Sequence, residues 1–325
     1  MPEENFTNTL YTNDNLFILN GLNSDLVDLI YLDPPFNTKR LFSAPIGSKA
    51  AGSSFKDMWT WQDVNEAYLE NLVDTFPAVE DYIKSVGLLH SKAMKAYLTY
   101  MVQRIIEMHR ILKDTGSLCL HCDPTASHYL KLLLDEIFGK NNFRNEIVWY
   151  YRRWTAVSNR FQRMHDIIYW YSKDKNCATF TKPLQEYSDP SLIETTVRGV
   201  VDGKLQRLKN PDGTYIQRQK ENEGVLMHDV WTDINFIPPT SKERTGYPTQ
   251  KPLKLLKRII TALSNPGDIV LDPFCGCATA CVAAQQLGRK WIGIDVEENA
   301  VQILVERLSD DAGLFKNFVA TKLVP

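Results

Sequence analysis

Apolar and polar positions along the chain fall into blocks that predict strands and helices in turn. The run VDLIYL, Val27–Leu32, has the unbroken apolar character of a strand buried on both faces, and it stops at Asp33-Pro34-Pro35-Phe36. A helix is predicted over Gln103–Lys113 and a second buried strand over Gly116–Cys122. An amphipathic helix follows over Ala126–Phe138, with Leu130, Leu133, Leu134 and Ile137 on one face and Gly139 as its stop. Near the end, DIVLDPF, a helix from about Ala278 to Leu287, the strand KWIGIDV and a helix from about Asn299 to Leu308 repeat the alternation. Such alternation predicts an α/β fold with a mainly parallel sheet covered on both faces.

Two stretches break the rhythm. Leu41–Phe55, rich in Gly, Ser and Ala, reads as a mobile loop with Phe55, Trp59 and Trp61 as aromatic anchors at its far end. Lys173–Thr245 is polar, basic and turn-rich, with a hairpin turn expected at Asn210–Tyr215, and reads as an insertion. The expected division is therefore 1–172, an inserted 173–245, and 246–325.

The net charge of −2 conceals an uneven distribution: residues 144–258 hold 20 Lys and Arg against 13 Asp and Glu, and the remainder holds 17 against 26. A basic middle in an acidic frame suits contact with a polyanion, although clustering on a solvated face gives the same counts. Six cysteines include the C-x-x-C of Cys119 and Cys122, but the second half of a zinc site is missing. Reduced, buried thiols and no metal are expected. With no secretory pattern in MPEENFTNTL and no long apolar run, the expectation is a cytoplasmic protein away from membranes.

The candidate chemistry sits where predicted strands end. In LDPPF two prolines remove two backbone donors and leave carbonyls facing outward beside an Asp and an aromatic ring; a plain Pro-rich turn is the bland alternative. LDPFCGCATA, Leu271–Ala280, is a second strand end running through Gly276 into a helix, where backbone can approach a ligand. Asp295 ends WIGIDV about 20 residues later, where an acid can accept hydrogen bonds from ribose hydroxyls. Glycine turn and delayed acid together point to an adenosine-containing cofactor.

DPPF, DPFCGCAT, GYPTQKP and WIGIDV, in this order, resemble the beta class of DNA amino-methyltransferases over roughly Thr12–Leu308. The resemblance implies a circularly permuted Rossmann-like fold that binds S-adenosylmethionine, with a seven-stranded sheet and an inserted target-recognition region. It implies catalysis by Asp33, Pro34, Pro35 and Phe36. Asp33, Asp272, Pro273, Phe274, Gly276, Ala278 and Thr279 would line the cofactor. Asp295 would take the ribose, Asp14 would face adenine, and Thr249, Gln250, Lys251 and Pro252 would lead into the helix beneath. Ala278 stands where the family carries Gly and adds a methyl near the cofactor.

An exocyclic amino nitrogen is a poor nucleophile because its lone pair is delocalised into the ring. Asp33 and the Pro34 carbonyl can accept its two hydrogens, and Phe36 can stack on a base flipped out of the duplex. Asp in the first position resembles the adenine-N6 enzymes; cytosine-N4, RNA, and a silent DNA-binding subunit are the competing readings. The candidate DNA contacts are Asn37, Lys39, Arg152, Arg153, Arg160 and Arg163, while Trp149, Tyr151, Trp154, Tyr169 and Trp170 also suit a core. His121 and His165 are expected to support the fold. A homodimer and a separate restriction subunit are the expected partners besides DNA.

Overall fold

The computed structural model describes residues 7–38, 40–45, 47–51, 53–57, 60, 64, 67–70, 72–153, 159–185, 194–201, 203–219, 224–297, 299–310 and 319–321. Its central sheet is built from β1 (Thr9–Thr12), β2 (Val27–Leu32), β3 (Leu112–Cys122), β4 (Phe143–Tyr150), β5 (His165–Ser172), β6 (Val230–Trp231), β7 (Ile269–Asp272), β8 (Lys290–Asp295) and β9 (Val319–Thr321). They lie in the order β6-β4-β5-β3-β2-β7-β8-β1-β9. Only β5 runs antiparallel to its neighbours in this sheet. The sheet has nine strands where seven were expected, because the short β6 and β9 add an edge on either side.

All six residues of β2 are buried, including Asp28 at 8% exposure. A lone buried carboxylate would be costly; this one accepts from Lys113 Nζ at 3.0 Å and from the Ile269 backbone N–H at 2.9 Å. One side chain thus ties β2 to the starts of β3 and β7.

Helix α1 (Asn15–Gly21) follows β1, and α2 (Pro77–Leu89) leads into α3 (Lys92–Ile111). The long α3 buries Met94, Tyr97, Leu98, Met101, Val102, Ile105 and Met108 on one face and is capped by Ser91 Oγ, which accepts from Met94 N at 3.1 Å. It begins well before the expected Gln103, and β3 starts at once at Leu112, so Lys113 lies in a strand. The expected Ala126–Phe138 helix is α4 (Ser127–Leu134) closed by a wider turn over Asp135–Gly139. The last helices are α5 (Leu253–Leu263), α6 (Thr279–Gln286) and α7 (Asn299–Asp310). Among the described residues no helix is long and apolar enough to cross a membrane. Cys119, Cys122, Cys275, Cys277 and Cys281 are buried as expected; Cys177 is exposed.

The segment read as a mobile loop is an antiparallel hairpin, Arg40–Ser43 against Ser54–Asp57. Its turn is held down: Ala50 is buried with Cys277 and Ile303, and its N–H donates to the Thr245 carbonyl at 3.2 Å. Ser48 packs so closely on Gly246 that a Cβ there would lie 2.3 Å from the Ser48 Cβ. At the other end, the buried Asp57 carboxylate accepts from Asn37 N at 2.6 Å, from Thr38 N at 3.0 Å and from Thr38 Oγ1. The small Ser48 in this hairpin allows close packing against Gly246. Trp59, Trp61 and the Phe55 side chain lie outside the described residues.

The chain divides into two compact units, 1–181 with 229–325, and 182–228. The insertion is thus shorter than 173–245, since 173–181 and 229–245 pack within the large unit. The small unit is made of nested antiparallel pairs: Leu184–Gln185 with Val225–Leu226, Glu194–Thr196 with Gln217–Gln219, and Arg198–Val201 with Lys204–Arg207. Its Asn210–Tyr215 turn closes as expected, with Asn210 N donating to the Thr214 carbonyl at 2.7 Å. The small unit holds seven basic and seven acidic residues, so the basic excess of the middle region belongs to the large unit.

Asp57→Ala strands three donors at once. Loss of roughly 3 kcal/mol is expected, lowering the thermal midpoint in calorimetry by about 5 °C, with Asp57→Asn falling between.

Candidate active site

Chain order reverses where β2 lies beside β7, and the crevice outside the carboxyl ends of strands at such a point is where an open α/β sheet binds ligands. A cavity of about 530 Å³ opens there. Each strand end supplies an acid-proline step: Asp33-Pro34 after β2, and Asp272-Pro273 at the end of β7. Asp33, Pro34, Pro35 and Phe36 all line the cavity.

Asp33 is held asymmetrically. Its Oδ2 accepts from Lys251 Nζ at 2.6 Å, while Oδ1 is buried and meets no donor among the described residues. A buried acceptor without a partner is costly, and here it belongs to a cavity-lining carboxylate. The Lys251 ammonium also stands 5.4 Å from the centre of the Phe36 ring. It lines the cavity beside the catalytic candidates as well as leading toward α5.

Behind Phe36 lies a hydrogen-bonded chain. The His121 ring stacks on Phe36, centroids 6.3 Å apart at 25°. Its Nδ1 is 2.8 Å from Tyr31 Oη and its Nε2 is 3.2 Å from Asp166 Oδ2, while Tyr151 Oη donates to Asp166 Oδ1 at 2.8 Å. Burial, then the Asp33 charge, pushes the Tyr31 hydroxyl well above the usual phenol range, so it stays protonated. Burial also raises Asp166, but the His121 hydrogen bond and charge, with Lys251, outweigh it and bring the carboxyl to about 2. His121 supports the fold as expected, at the back of the candidate catalytic ring.

On the other wall, Phe274, Gly276, Thr279 and Asp295 line the cavity with Asp272. Burial pushes the Asp272 carboxyl well above its ordinary range, against the lowering effect of the Phe274 N–H that Oδ1 accepts at 3.1 Å. Asp295 accepts from Gly276 N at 2.7 Å and from Glu297 N at 2.9 Å; burial still pushes it up to about 6. Gly276 has φ +51°, and a Cβ on it would lie 2.8 Å from the Tyr247 ring, so this turn requires glycine. Thr279 Oγ1 accepts from Arg307 at 3.0 Å, and Thr249, also lining the cavity, has φ +63°.

Four of the expected cofactor residues are not among the lining residues. Asp14 caps α1 by accepting from Leu16 N at 2.8 Å and receives Arg104 at 3.0 Å on both oxygens; its neighbours Asn13 and Asn15 line the cavity instead. Pro252 is the buried cap of α5, and the Pro273 carbonyl accepts from Asn15 Nδ2 at 2.8 Å. Ala278 is fully buried at φ +57°, so its substitution for glycine acts on the backbone at the start of α6, and its methyl is not part of the cavity wall. Gln250 reaches the cavity, but its amide is occupied: Oε1 accepts from Thr245 N at 2.8 Å and Nε2 donates to the Glu243 carbonyl at 2.8 Å.

Among the expected DNA contacts, Asn37 is buried behind the Asp57 clamp, with φ +61°, and is not presented to solvent. Lys39 and Trp154 lie outside the described residues. Arg152, Arg153, Arg160 and Arg163 are exposed in the stretch that leaves β4, whereas Trp149, Tyr151, Tyr169 and Trp170 are core. Sequence reasoning passed over Tyr247, Asn13, Asn15 and Asp57. Tyr247 and the two asparagines sat inside the motifs GYPTQKP and TNDNL; nothing in the sequence linked Asp57 to the tetrad it clamps.

The chain has known relatives along most of its length. Over nearly the whole chain it is similar to the type II methyltransferase M.EcaI of Enterobacter cloacae, 28% identical across 97% of this chain and 72% of that one. It is likewise 28% identical to the DNA adenine methyltransferase YhdJ of Escherichia coli K12, across 94% of this chain and 83% of that one. Two solved structures share the fold: the PvuII DNA methyltransferase (cytosine-N4-specific), at TM-score 0.55 and 13% identity covering 97% of each chain, and the M1.HpyAVI–SAM complex, at 0.51 and 20% covering 92% and 98%. The model of the DNA methylase family, the N6 and N4 amino-methyltransferases, matches residues 27–306, and the chain belongs to that family.

Proposed function

We propose that the chain methylates the N6 amino group of adenine in DNA, with S-adenosylmethionine as the methyl donor. The observation that carries this reading is Asp33: one carboxylate oxygen is held by Lys251, and the other is a buried acceptor that meets no donor among the described residues. A target amino group supplies that missing donor. Taken up by Asp33 Oδ1 and the Pro34 carbonyl, its two hydrogens leave the nitrogen lone pair free of the ring and able to bond the methyl carbon as that carbon's bond to sulfur breaks. The nitrogen then gives up one hydrogen as a proton to Asp33, which passes it to solvent. Acceptors that strengthen as the nitrogen becomes positive act mainly on the transition state. Phe36, backed by His121, fixes the plane of the flipped base.

The second wall fits the donor. Gly276 keeps the turn open where a side chain would strike Tyr247, and Asp295, which lines the cavity with Asn13 and Asn15, would accept from the ribose hydroxyls. When bound, S-adenosylmethionine supplies a methyl group on a positively charged sulfur, and a cavity lined by Asp33, Asp272 and Asp295 suits that charge. The relative named as an adenine methyltransferase and the Asp at the head of the tetrad support adenine; the cytosine-N4 structural relative keeps cytosine as the second reading. For the same family reasons we propose a homodimer in the cytoplasm, a separate nuclease partner of the restriction-modification kind, and target recognition by the 182–228 unit.

Incubation with a random-sequence DNA library and S-adenosylmethionine should yield N6-methyladenine by mass spectrometry; N4-methylcytosine instead would overturn the choice of base. Asp33→Ala should lower the transfer rate at least ~100-fold, with cofactor affinity by calorimetry changed less than about threefold. Undiminished transfer would sink this mechanism.

A pH dependence follows from Asp295. A carboxyl raised to about 6 in the fold is mainly ionised only above that pH, and the ionised form accepts hydroxyl hydrogen bonds more strongly, so affinity for S-adenosylmethionine should fall roughly tenfold from pH 7.5 to pH 5. Stability of the ligand-free protein moves the other way, because a raised acid favours the fold below its ordinary pKa and loses that contribution as pH rises through 6. Asp295→Asn should flatten both curves.

A further inference from the structure

Phe161 is 99% exposed, the most exposed large apolar side chain among the described residues. It lies in 151–164, a stretch with four arginines and no acidic residue. Both ends of this stretch are fixed. Tyr151 is buried, its N–H donates to the Met164 carbonyl at 2.9 Å, and its hydroxyl donates to Asp166, the residue bonded to His121 behind Phe36.

Sheet register gives the direction of the stretch. Leu32 of β2 pairs with Leu120 of β3, Cys122 of β3 with Ile167 of β5, and Tyr150 of β4 with His165 of β5. The β4–β5 connection therefore leaves the sheet at the edge where Asp33 follows β2. β4 is three strands from β2, roughly 14 Å at ordinary strand spacing. Phe161, flanked in sequence by Arg160 and Arg163, thus belongs to the face on which a duplex must lie for its base to reach Asp33.

A base drawn into the cavity leaves a gap in the stack, and apolar side chains on basic protein surfaces fill or open such gaps. We propose that Phe161 is a wedge that enters the duplex beside the target and holds the vacated space, while the arginines around it hold the phosphates. The partner is double-stranded DNA, read here through stacking and charge rather than base sequence. The inference rests on the DNA-methylating reading above. It explains why a large apolar ring is left in water at this edge, where it contributes nothing to the core.

The test compares Phe161→Ala and Phe161→Trp with the wild-type chain on two 30-base-pair duplexes carrying a site found with the library. In one the target adenine is paired; in the other it faces an abasic position, so little stacking and pairing remain to be broken. Phe161→Ala should lower the transfer rate at least tenfold on the paired duplex and less than threefold on the pre-opened one. Phe161→Trp should recover most of the loss, and neither variant should move the thermal midpoint by more than about 1 °C. Equal losses on both duplexes, or no loss on either, would overturn the wedge. Absence of methylation by the wild-type chain on both duplexes would instead overturn the DNA-methylating reading on which it rests.

Discussion

The pairing of β2 with β7 is the constraint from which the rest of the site follows. These two parallel strands are far apart in sequence, yet Leu29 lies against Val270 and Ile30 against Leu271. The buried Asp28 carboxylate, shared between Lys113 and the Ile269 N–H, locks them side by side. From this pair the sheet grows outward in both directions, and the cavity opens at their carboxyl ends. The acids of two acid-proline steps then line one cavity, one with a buried oxygen that meets no donor among the described residues and the other ahead of the Gly276 turn into α6.

That closeness has an electrostatic cost. Asp33, Asp272 and Asp295 line the same cavity; burial, with the charges of Asp33 and Asp295, pushes Asp272 up, and burial, with the charge of Glu297, pushes Asp295 up. Lys251 offsets part of this, donating to Asp33 Oδ2 and lowering the cost of charge on Asp272 and Asp166. An arrangement held between ionised and neutral carboxyls in a partly desolvated space answers strongly to a bound cation, which is the charge that a sulfonium donor carries.

Mechanical support comes from two sides. The 40–57 hairpin is clamped at one end to the backbone just after the tetrad, by Asp57, and at its turn to Thr245 and the Cys277–Ile303 cluster. It thereby joins the Asp33 wall of the cavity to the Gly276 wall. On the far side the Tyr31–His121–Asp166–Tyr151 chain runs from the cavity behind Phe36 to the foot of the basic 151–164 stretch. These hydrogen bonds lie among buried side chains, where each is hard to replace.

Much of this was legible in one dimension, because some signals are local. The apolar run of β2, the acid-proline steps at two strand ends, Gly276 and Asp295 each have a physical meaning that neighbouring residues suffice to reveal. They determined the α/β class, the permuted order of the halves and the family. What they left undecided depends on contacts between distant segments. Asp57 is an ordinary acid until it lies against Asn37 and Thr38, and a Gly-Ser-rich stretch looks loose until Ser48 meets Gly246. Asp14 and its two asparagine neighbours are equivalent in sequence; Arg104, arriving from α3, holds the Asp14 carboxylate away from the cavity and also donates to Asn15 Oδ1 at 2.5 Å, while Asn13 and Asn15 line the cavity. Local chemistry determined which groups could act, and only tertiary packing decided which of them face the cavity, because a hydrogen bond is satisfied by whichever partner the fold brings within 3 Å.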